Sequence, residues 1–320
     1  MISSVLGSVI AVISNILTII FTFTGIFGGL PTVSTENPIK FQDPENCKLA
    51  FVAFADTHNR DTAFQPYLFE RGLQDIDNSE NEFDALIIAG DISEFGDGPS
   101  YEVTWNALAN SEIGKKPVLL ATGNHDIRLA YEYQTDFVMD KASEYLGMEI
   151  DKPYYSYEIN GYTFIVMGSD EWQFEKAVIS DEQLAFIDAE LEKANGKPAF
   201  VICHQPLKDT HGLPEVWANG DLGEDSDEVK EIFMKHSNVF YLNGHLHDGV
   251  YEKSLEIFDA EKGVYSINLP AFGKDNDYGP FAQVGLGTYV EVYEDSVVFT
   301  ARDFGVGEPL EGYTYTFDIK

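Results

Sequence analysis

Polar residues suited to metal binding follow directly after apolar runs at five places in this chain. They occur at Asp56-Thr57-His58, Gly90-Asp91, Gly123-Asn124-His125-Asp126, His204 and Gly244-His245-Leu246-His247. Five of the seven histidines fall inside these clusters. Carboxylate, amide and imidazole groups without thiolate suit manganese, iron or zinc, and the sequence does not choose among the three metals. The pattern therefore predicts metal chemistry, with ligands drawn from distant parts of the chain.

Two metal ions side by side would allow such residues to cleave a phosphate ester. The ester resists attack because its oxygens are negative, so a catalyst must neutralise that charge and supply hydroxide at neutral pH. Two ions about 3.5 to 4 Å apart do both, since they bind the phosphoryl oxygens and lower the pKa of a shared water. The only carboxylates expected among the ligands are Asp56 and Asp91, so the ions keep a net positive charge at the site.

The segments that precede these clusters have the pattern of strands buried on both faces. The runs that end at Ala89 and Ala121 are continuously apolar and followed by glycine turns, which is typical of parallel sheets. Ligands collect at the carboxyl ends of such strands. Helices are predicted between the strands at Pro66 to Ile76 and Tyr101 to Ala109, and this alternation predicts a parallel core.

Further elements are predicted downstream. We expect a helix over Tyr131 to Leu146, a hairpin that turns at Asn160-Gly161 and a helix that begins after the capping box Ser180 to Gln183. After His247 the pattern changes to alternating strands, from Val264 to Ile319, without a helix signal. We expect these strands to complete a second sheet.

The ordered set D-x-H, G-D, G-N-H-D, H and G-H-x-H, from about Phe51 to His247, resembles the calcineurin-like metallophosphoesterase superfamily in every motif. The G-N-H-D and H-Q-P contexts are most similar to the subgroup that contains cyclic-nucleotide phosphodiesterases. The resemblance implies an α/β fold, namely a four-layer α/β/β/α sandwich of two mixed sheets flanked by helices. It also implies a hydrolase with two divalent metal ions, in which a metal-bridging hydroxide attacks a phosphate monoester or diester in line.

The same resemblance implies roles for individual residues, and Asp91 would bridge the two ions. The other metal ligands would be Asp56, His58 and His247 in the first site and Asn124, His204 and His245 in the second. His125 would act as general acid or as a donor to the developing charge, with a hydrogen-bonding role beside the site as the alternative. Asp126 would orient a histidine rather than take part directly.

Four more residues are candidate substrate contacts. Arg60 and Arg128 each follow a metal motif and could hold phosphate oxygens in a forked contact. Pairing with the neighbouring Asp61 or Asp126 is an equal alternative.

The other two candidates, His211 and Trp217, lie in the irregular segment after His204, where long loops often shape a pocket. Trp217 would stack on a base or pack as a lid aromatic. The loop from Asp170 to Trp172 either lines the same cleft or forms a solvated turn.

The charge of the chain limits its partners. The sequence has 54 acidic and 20 basic residues, a formal net charge of -34, which argues against binding of nucleic acid or an anionic membrane through the globular part. We therefore expect a small phosphate-ester substrate and no nucleic-acid surface. The two cysteines, Cys47 and Cys203, do not make a disulfide framework.

The first 35 residues carry no charged side chain, and Val5 to Phe27 is strongly apolar. A helix needs about 20 such residues to cross a bilayer. We predict an N-terminal transmembrane helix at residues 1–30, with a cleaved signal helix as the alternative, then a linker at 31–47 and a metallophosphoesterase domain at 48–320. The protein would be membrane-anchored or secreted, with its domain outside the cytoplasm.

Two alternatives to a simple phosphoesterase stay open. One is a non-catalytic metal-binding scaffold of the same fold, against which the complete ligand set argues. The other is a lipid-linked pyrophosphatase, which the predicted membrane anchor favours.

Overall fold

The computed structural model describes residues 33–61, 65–247, 254–276 and 284–320. The transmembrane or signal helix predicted at 1–30 lies outside these ranges. Within them, no helix is long and apolar enough to cross a bilayer. Residues 33–47, predicted as part of a linker, pack against the domain through the buried side chains of Val33, Ile39 and Phe41.

Two six-stranded sheets form the centre of the described structure. The strands are β1 (Leu49–Phe54), β2 (Ala85–Ala89), β3 (Val118–Ala121), β4 (Tyr155–Ile159), β5 (Tyr162–Val166), β6 (Ala199–Ile202), β7 (Val239–Asn243), β8 (Leu255–Asp259), β9 (Val264–Asn268), β10 (Leu286–Val292), β11 (Ser296–Asp303) and β12 (Glu308–Asp318). The first sheet has the order β12-β11-β10-β1-β2-β3, and the second has the order β4-β5-β6-β7-β9-β8. Both sheets are mixed, with β1 to β3 parallel in the first and β5, β6, β7 and β9 parallel in the second.

Helices connect the parallel strands. They are α1 (Gln65–Asp77), α2 (Gly98–Ala109), α3 (Asn124–Ile127), α4 (Tyr131–Leu146), α5 (Asp181–Ala194) and α6 (Ser226–Phe233), with a short 3-10 turn at Ile113–Lys115. Their ends follow local signals. The Asp97 side chain caps α2, the Ser180 side chain caps α5, and α4 ends at Gly147 with a left-handed φ of 64°.

A layer of aromatic rings lies between the two sheets. Phe51 of β1 packs against Phe164 and Phe200 of the second sheet, with ring centroids 5.2 and 4.8 Å apart. Further along, Phe240 of β7 packs against Phe299 of β11 at 5.6 Å. Burial of such a ring contributes roughly 1.5 to 3 kcal/mol. This core holds the sheets face to face, so the carboxyl ends of their parallel strands meet at one edge.

Helices cover the outer faces of the sheets. Phe54, which alternates with Phe51 along β1, packs against Phe69 of α1. On the other side, Ile187 of α5 and Phe233 of α6 belong to the cluster that covers the second sheet. The predicted α/β sandwich of two mixed sheets with flanking helices is therefore confirmed for the described residues.

The expectation that the C-terminal strands complete a second sheet was wrong for most of them. β10, β11 and β12 extend the first sheet, and β10 pairs antiparallel with β1, whereas β9 joins the second sheet. An alternating pattern predicts a strand but not its partner. The edge strand β8 was not predicted, because its side chains are mostly half exposed and its sequence lacks a clean alternation.

A buried ion pair joins the first sheet to its helix. The guanidinium of Arg302 in β11 donates to both carboxylate oxygens of Asp75 in α1, at 2.6 and 2.8 Å. It also donates to the Asn37 carbonyl at 2.7 Å, which holds the amino-terminal segment against the domain. Arg302 and Asp75 are almost fully buried, so neither charge has water as an alternative partner.

Candidate metal centre

The five polar clusters meet at the edge where the parallel strands of both sheets end. Backbone hydrogen bonds extend the first sheet past its strands, since the Asp56 N–H donates to the Gly90 carbonyl at 3.1 Å and the His58 N–H donates to the Asp91 carbonyl at 2.9 Å. Between the sheets, the His245 N–H donates to Asp56 Oδ2 at 2.9 Å. The predicted convergence of distant clusters is therefore present in the fold.

The backbone at this edge adopts a conformation that side chains disfavour. Left-handed φ angles occur at Asp56 (53°), His58 (44°), Asp91 (48°), His245 (72°) and His247 (49°). A residue with a side chain in this region costs of order 1 kcal/mol or more, and such residues cluster at functional sites. The conformation turns these side chains inward from the strand ends, toward one another.

Two glycines are needed here for different reasons. Gly90 has a φ of 81°, which turns the chain sharply before Asp91. Gly123 has an ordinary φ of −105°, but a Cβ at this position would collide with the side chain and backbone nitrogen of Asp91. The close approach lets the His125 N–H donate to Asp91 Oδ1 at 2.8 Å, and this hydrogen bond connects the loop after β3 to the loop after β2.

One half of the centre is formed by four of the predicted ligands. Asp56 Oδ1 lies 3.1 Å from His247 Nε2, and His58 Nε2 lies 3.2 Å from the same nitrogen. His58 Nε2 is also 3.4 Å from Asp91 Oδ2. One ligand atom from each of these four residues falls within 4.8 Å of the others, a spacing compatible with a single ion.

The other half shares Asp91. Its Oδ2 lies 3.3 Å from His204 Nε2, and that nitrogen lies 3.1 Å from both Asn124 Oδ1 and His245 Nδ1. Asp91, His204 and His245 form a second group within 4.8 Å. Asp91 Oδ2 therefore faces imidazole nitrogens of both halves.

The chemistry of these donors fits divalent cations. Unprotonated ring nitrogens repel each other at 3.1 to 3.2 Å unless a proton or a cation lies between them, and both halves contain such a pair. His245 Nε2 is buried without a hydrogen-bond partner in the described residues. Nitrogen and oxygen ligands of this kind suit first-row metals. The residues present therefore fit two ions.

Electrostatics keep the two carboxylates ionised. Burial alone would raise the pKa of Asp56, but the charges of His247 and His204 outweigh it and hold that pKa well below its usual range. Burial opposes ionisation of Asp91 in the same way, and His204 again lowers the pKa. In return, the pKa of His204 rises to about 9, since Asp91 and Asp56 outweigh the burial that would lower it. A bound cation would replace the proton on this histidine.

Comparison with known proteins identifies the family. The sequence profile of the calcineurin-like phosphoesterases matches residues 49–249, which is more than half of the chain and includes all five clusters. The chain belongs to the calcineurin-like phosphoesterase family. It is a metallophosphoesterase with a candidate centre for two divalent ions.

Two curated relatives of this phosphoesterase are phosphodiesterases. A 3′,5′-cyclic-nucleotide phosphodiesterase of Nostoc sp. is 24% identical over 176 residues, which are 55% of this chain and 60% of the relative. A glycerophosphodiester phosphodiesterase of Enterobacter lignolyticus is 26% identical over 160 residues, which are 48% of this chain and 55% of the relative. The alignments thus span just over half of each relative's length.

Solved structures share the fold of this phosphoesterase. A dimetal phosphatase from Danio rerio has a TM-score of 0.61 at 16% identity, over 86% of this chain and 100% of that one. A purple acid phosphatase from yellow lupin has a TM-score of 0.56 at 13% identity, over 84% of this chain and 53% of that one. At these identities, the similarity concerns the fold alone.

A carboxylate missed in the sequence orients one histidine of the phosphoesterase. Glu94 lies 3.0 Å from His58 Nδ1, and Lys274 Nζ lies 2.7 Å from the same carboxylate oxygen. Burial would raise the pKa of Glu94, but the contact with His58 and then that with Lys274 lower it to about 2. Glu94 Oε2 and His58 Nδ1 do not form an aligned hydrogen bond, but the charge of ionised Glu94 beside Nδ1 favours a proton on that nitrogen, which leaves Nε2 of His58 free to bind an ion.

His125 lies beside His58 and Glu94, and its ring is partly exposed. Its Nδ1 can only donate to the Glu94 carbonyl, at 2.8 Å, so in the neutral ring Nε2 carries the lone pair. Nε2 lies 4.0 Å from Asp91 Oδ2 and points toward the centre. Burial lowers the pKa of His125, and the neighbouring His58 lowers it further against the opposing effect of Asp91. Only the protonated ring can donate from Nε2.

Asp126 orients backbone loops instead of the histidine that was predicted. Its buried carboxylate accepts hydrogen bonds from the N–H groups of Ile92, Ser93 and Gly123 at 2.9 to 3.1 Å and from the Tyr101 hydroxyl at 3.0 Å. Burial and then the charge of Asp91 raise the pKa of Asp126 to about 6. Through these hydrogen bonds, Asp126 connects the loop after β2 to the loop after β3.

A second missed carboxylate, Glu175, orients Asn124. Its Oε2 accepts a hydrogen bond from Asn124 Nδ2 at 2.8 Å, which turns the amide oxygen toward His204. The Gln205 side chain donates to the Glu175 backbone carbonyl at 3.1 Å and supports the loop. Neither Glu94 nor Glu175 belongs to a sequence motif, so only the folded loops reveal their roles.

The two predicted arginine contacts lie in different environments. Arg60 is half buried, and its Nε atom has no hydrogen-bond partner among the described residues. The Arg128 guanidinium lies over the Phe174 ring, 5.3 Å from its centroid, and Nε donates to the Asn124 carbonyl at 3.4 Å. In the described structure, neither arginine forms the alternative ion pair with Asp61 or Asp126.

The two candidates after His204 also differ. His211 is fully buried, and its Nε2 lies 2.9 Å from Ser266 Oγ in β9. The Trp217 ring packs on His245, with centroids 4.5 Å apart.

Proposed function

We propose that this metallophosphoesterase hydrolyses small phosphodiesters with two divalent ions. The observation that carries the proposal is the position of Asp91 Oδ2, 3.4 Å from His58 Nε2 and 3.3 Å from His204 Nε2. One carboxylate oxygen between two imidazole groups suits a ligand shared by neighbouring ions. The residues that would hold them are Asp56, His58, Asp91 and His247 for one ion and Asp91, Asn124, His204 and His245 for the other.

When bound, the ions would supply positive charge for the phosphoryl oxygens and lower the pKa of a water molecule. The chain supplies the geometry for both effects. The charge of Glu94, 3.0 Å from His58 Nδ1, favours a proton on that nitrogen, and Glu175 keeps the amide oxygen of Asn124 turned inward. Asp126 fixes the loops after β2 and β3, so little reorganisation is needed when substrate binds.

His125 is the residue best placed to move a proton to the leaving group. Its Nδ1–H is held by the Glu94 carbonyl, so a second proton on Nε2 would face the centre. The protonated ring donates that proton to the departing oxygen, and the neutral ring that remains keeps its hydrogen bond to Glu94. Donation of this kind typically contributes about 100-fold to 10,000-fold in rate.

Two considerations support a diester over a monoester, namely the names of the relatives and the charge of the chain. Both curated relatives are named for the hydrolysis of phosphodiesters. A diester carries one negative charge, whereas a phosphate monoester carries between one and two near neutral pH because its second pKa is about 6. Outside the metal centre, a chain with a formal net charge of -34 repels an approaching monoester more strongly than a diester.

The test compares bis(p-nitrophenyl) phosphate with p-nitrophenyl phosphate, using metal-stripped protein to which Mn²⁺ is added. We expect turnover that depends on added metal, with the diester cleaved faster. Faster cleavage of the monoester would contradict the choice of diester. No turnover of either ester by metal-replete protein would favour the non-catalytic scaffold. Hydrolysis confined to lipid-linked pyrophosphates would favour the pyrophosphatase.

A further inference from the structure

Two aromatic side chains stand exposed beside the metal centre, in the loop between β5 and α5. Trp172 is 52% exposed and Phe174 is 56% exposed. Exposed apolar groups that lie close together on a soluble protein often mark a binding surface. In the sequence, this loop was compatible with either a cleft wall or a solvated turn, and exposed aromatic rings favour the wall.

Both rings are held by a single residue. The Trp172 indole N–H donates to the Arg128 backbone carbonyl at 2.8 Å, and the Arg128 guanidinium lies 5.3 Å from the centre of the Phe174 ring. The indole nitrogen is therefore satisfied by the protein while much of the ring stays open to solvent. Side chains ordered before binding lose less entropy when a ligand arrives.

The surface is continuous with the proposed active site. Glu175, the residue after Phe174, accepts the hydrogen bond from Asn124 Nδ2 at 2.8 Å. The Arg128 side chain also contacts Asn124, because its Nε donates a hydrogen bond to the Asn124 carbonyl. Phe174 is therefore the direct neighbour in sequence of a residue that contacts a proposed metal ligand, and consecutive Cα atoms are only about 3.8 Å apart.

We propose that Trp172, Phe174 and Arg128 form a subsite for a flat aromatic group of the phosphodiester, such as a nucleobase. The inference rests on the proposed phosphodiesterase function. Aromatic faces and guanidinium planes stack on bases of any sequence because every base has a π face. The guanidinium also adds positive charge next to the phosphate, in a protein whose surface is otherwise strongly acidic.

A lipid surface is the main competing occupant for exposed aromatic rings. The loop itself argues against an anionic bilayer. Three acidic residues, Asp170, Glu171 and Glu175, flank the two aromatic residues in the sequence, and their negative charge would be repelled by anionic lipids. A neutral bilayer or an aliphatic ester would gain contact area from the rings but would not need their planarity. The experiment therefore has to separate flat groups from bulky apolar ones.

The test uses metal-replete protein and two esters with the same leaving group. One is the p-nitrophenyl ester of thymidine 5′-monophosphate, and the other is methyl p-nitrophenyl phosphate. We expect Trp172→Ala and Phe174→Ala to lower kcat/KM for the thymidine ester about 10-fold, mainly through KM, with little change for the methyl ester. Phe174→Leu, which keeps bulk but loses the flat ring, should behave like Phe174→Ala.

Phe258 provides a matched control. Its ring lies beneath a cation as the Phe174 ring does, with Lys230 Nζ at 4.5 Å from the centroid, but it belongs to β8 and packs toward α6. Phe258→Ala should leave the ratio of the two kcat/KM values unchanged. Thermal unfolding of each variant confirms that it is folded.

A binding measurement separates the two proposals. Calorimetric titration with thymidine 5′-monophosphate should show about 10-fold weaker binding to Trp172→Ala than to the wild type, with inorganic phosphate binding unchanged. If neither ester is turned over but this difference persists, the proposed function fails and the subsite stands. Equal losses on both esters, or full activity of Phe174→Leu, would overturn the subsite. The subsite would also be overturned if Trp172→Ala bound phosphatidylcholine vesicles less well than the wild type but bound the nucleotide equally well.

Discussion

The carboxylate of Asp91 faces the imidazole of His204, with 3.3 Å between Oδ2 and Nε2. The same oxygen lies 3.4 Å from His58 Nε2 on the opposite side. Because a shared ligand serves both ions, its loss should affect both at once, unlike the loss of a histidine that serves one. The relationship makes Asp91 the most informative residue of the centre.

Asp91→Asn keeps the size of the side chain and removes its charge. We expect both ions to bind more weakly and kcat to fall by at least about 100-fold. Metal counting after gel filtration in dilute chelator measures retention. Asp151→Asn, on the exposed surface, removes the same charge away from the centre and should retain two ions. A full complement of two ions in Asp91→Asn would contradict the bridging role.

His125→Ala removes the proposed proton donor without removing a proposed metal ligand. Both ions should stay bound, and esters with poor leaving groups should be slowed by about 100-fold or more, whereas activated p-nitrophenyl esters should be slowed less. Initial rates on a series of leaving groups measure the difference. His236→Ala, which breaks contacts with Asp188 at 2.7 Å and Glu192 at 4.0 Å away from the centre, should change neither rate. Equal slowing of all esters would remove the general-acid role.

Glu94→Ala should weaken Mn²⁺ binding by about 10-fold to 100-fold, because His58 Nδ1 loses the neighbouring negative charge that favours a proton there. Glu94→Gln, which keeps the size of the side chain and loses its charge, should recover little of the affinity. Titration against a competing chelator gives the values. Lys274→Ala leaves the contact between Glu94 and His58 intact and should have only a slight effect. Unchanged affinity in Glu94→Ala would mean that other contacts orient His58.

Arg302→Ala should lower the free energy of unfolding by about 3 to 5 kcal/mol, since it leaves the Asp75 carboxylate buried without its partner. Urea unfolding monitored by circular dichroism measures the change. Lys115→Ala breaks the exposed contact with Glu112 and should change stability by less than about 1 kcal/mol. Similar effects of the two substitutions would show that the buried pair adds nothing beyond a surface contact.

Asp303 should make stability depend on pH. Burial raises its pKa to about 6, although the N–H groups of Val306 and Gly305 and the charge of Arg71 lower it. The folded-state pKa thus exceeds the unfolded value of about 3.9, so the stabilisation is present below about pH 4 and is lost as pH rises through 6.

Asp303→Asn removes this dependence and keeps an acceptor for the same N–H groups. Between pH 4 and pH 7, its unfolding free energy should improve relative to the wild type by up to about 3 kcal/mol. Urea unfolding at several pH values gives the difference in unfolding free energy between the two proteins. The contributions of other titrating groups cancel in this difference. A constant difference would show that Asp303 titrates alike in the folded and unfolded states.

Local signals in the sequence predicted much of the fold. The helix expected over Tyr131 to Leu146 has those bounds in the structure, because Gly147 ends it in a left-handed conformation. The hairpin forms at Asn160-Gly161, where both residues have positive φ. The polar clusters could be assigned to one edge because parallel strands deliver their carboxyl ends together.

Features that depend on tertiary contacts were not predictable in this way. Glu94 and Glu175 gain their roles only when loops from different strands meet. The pairing of β10 with β1 joins segments more than 230 residues apart, and an alternating pattern contains no information about that partner. The burial of His211 and its contact with Ser266 of β9 likewise depend on tertiary structure, and its position in an irregular segment does not predict them.

The meeting of two sheets at the metal centre has a consequence for the protein as a whole. Asp56 and His247 are 191 residues apart in the chain, and they belong to loops of different sheets. An ion held by both acts as a reversible cross-link, so its binding equilibrium is coupled to the folding equilibrium of the domain. Depletion of metal in the surroundings would then shorten the lifetime of the protein as well as reduce its activity.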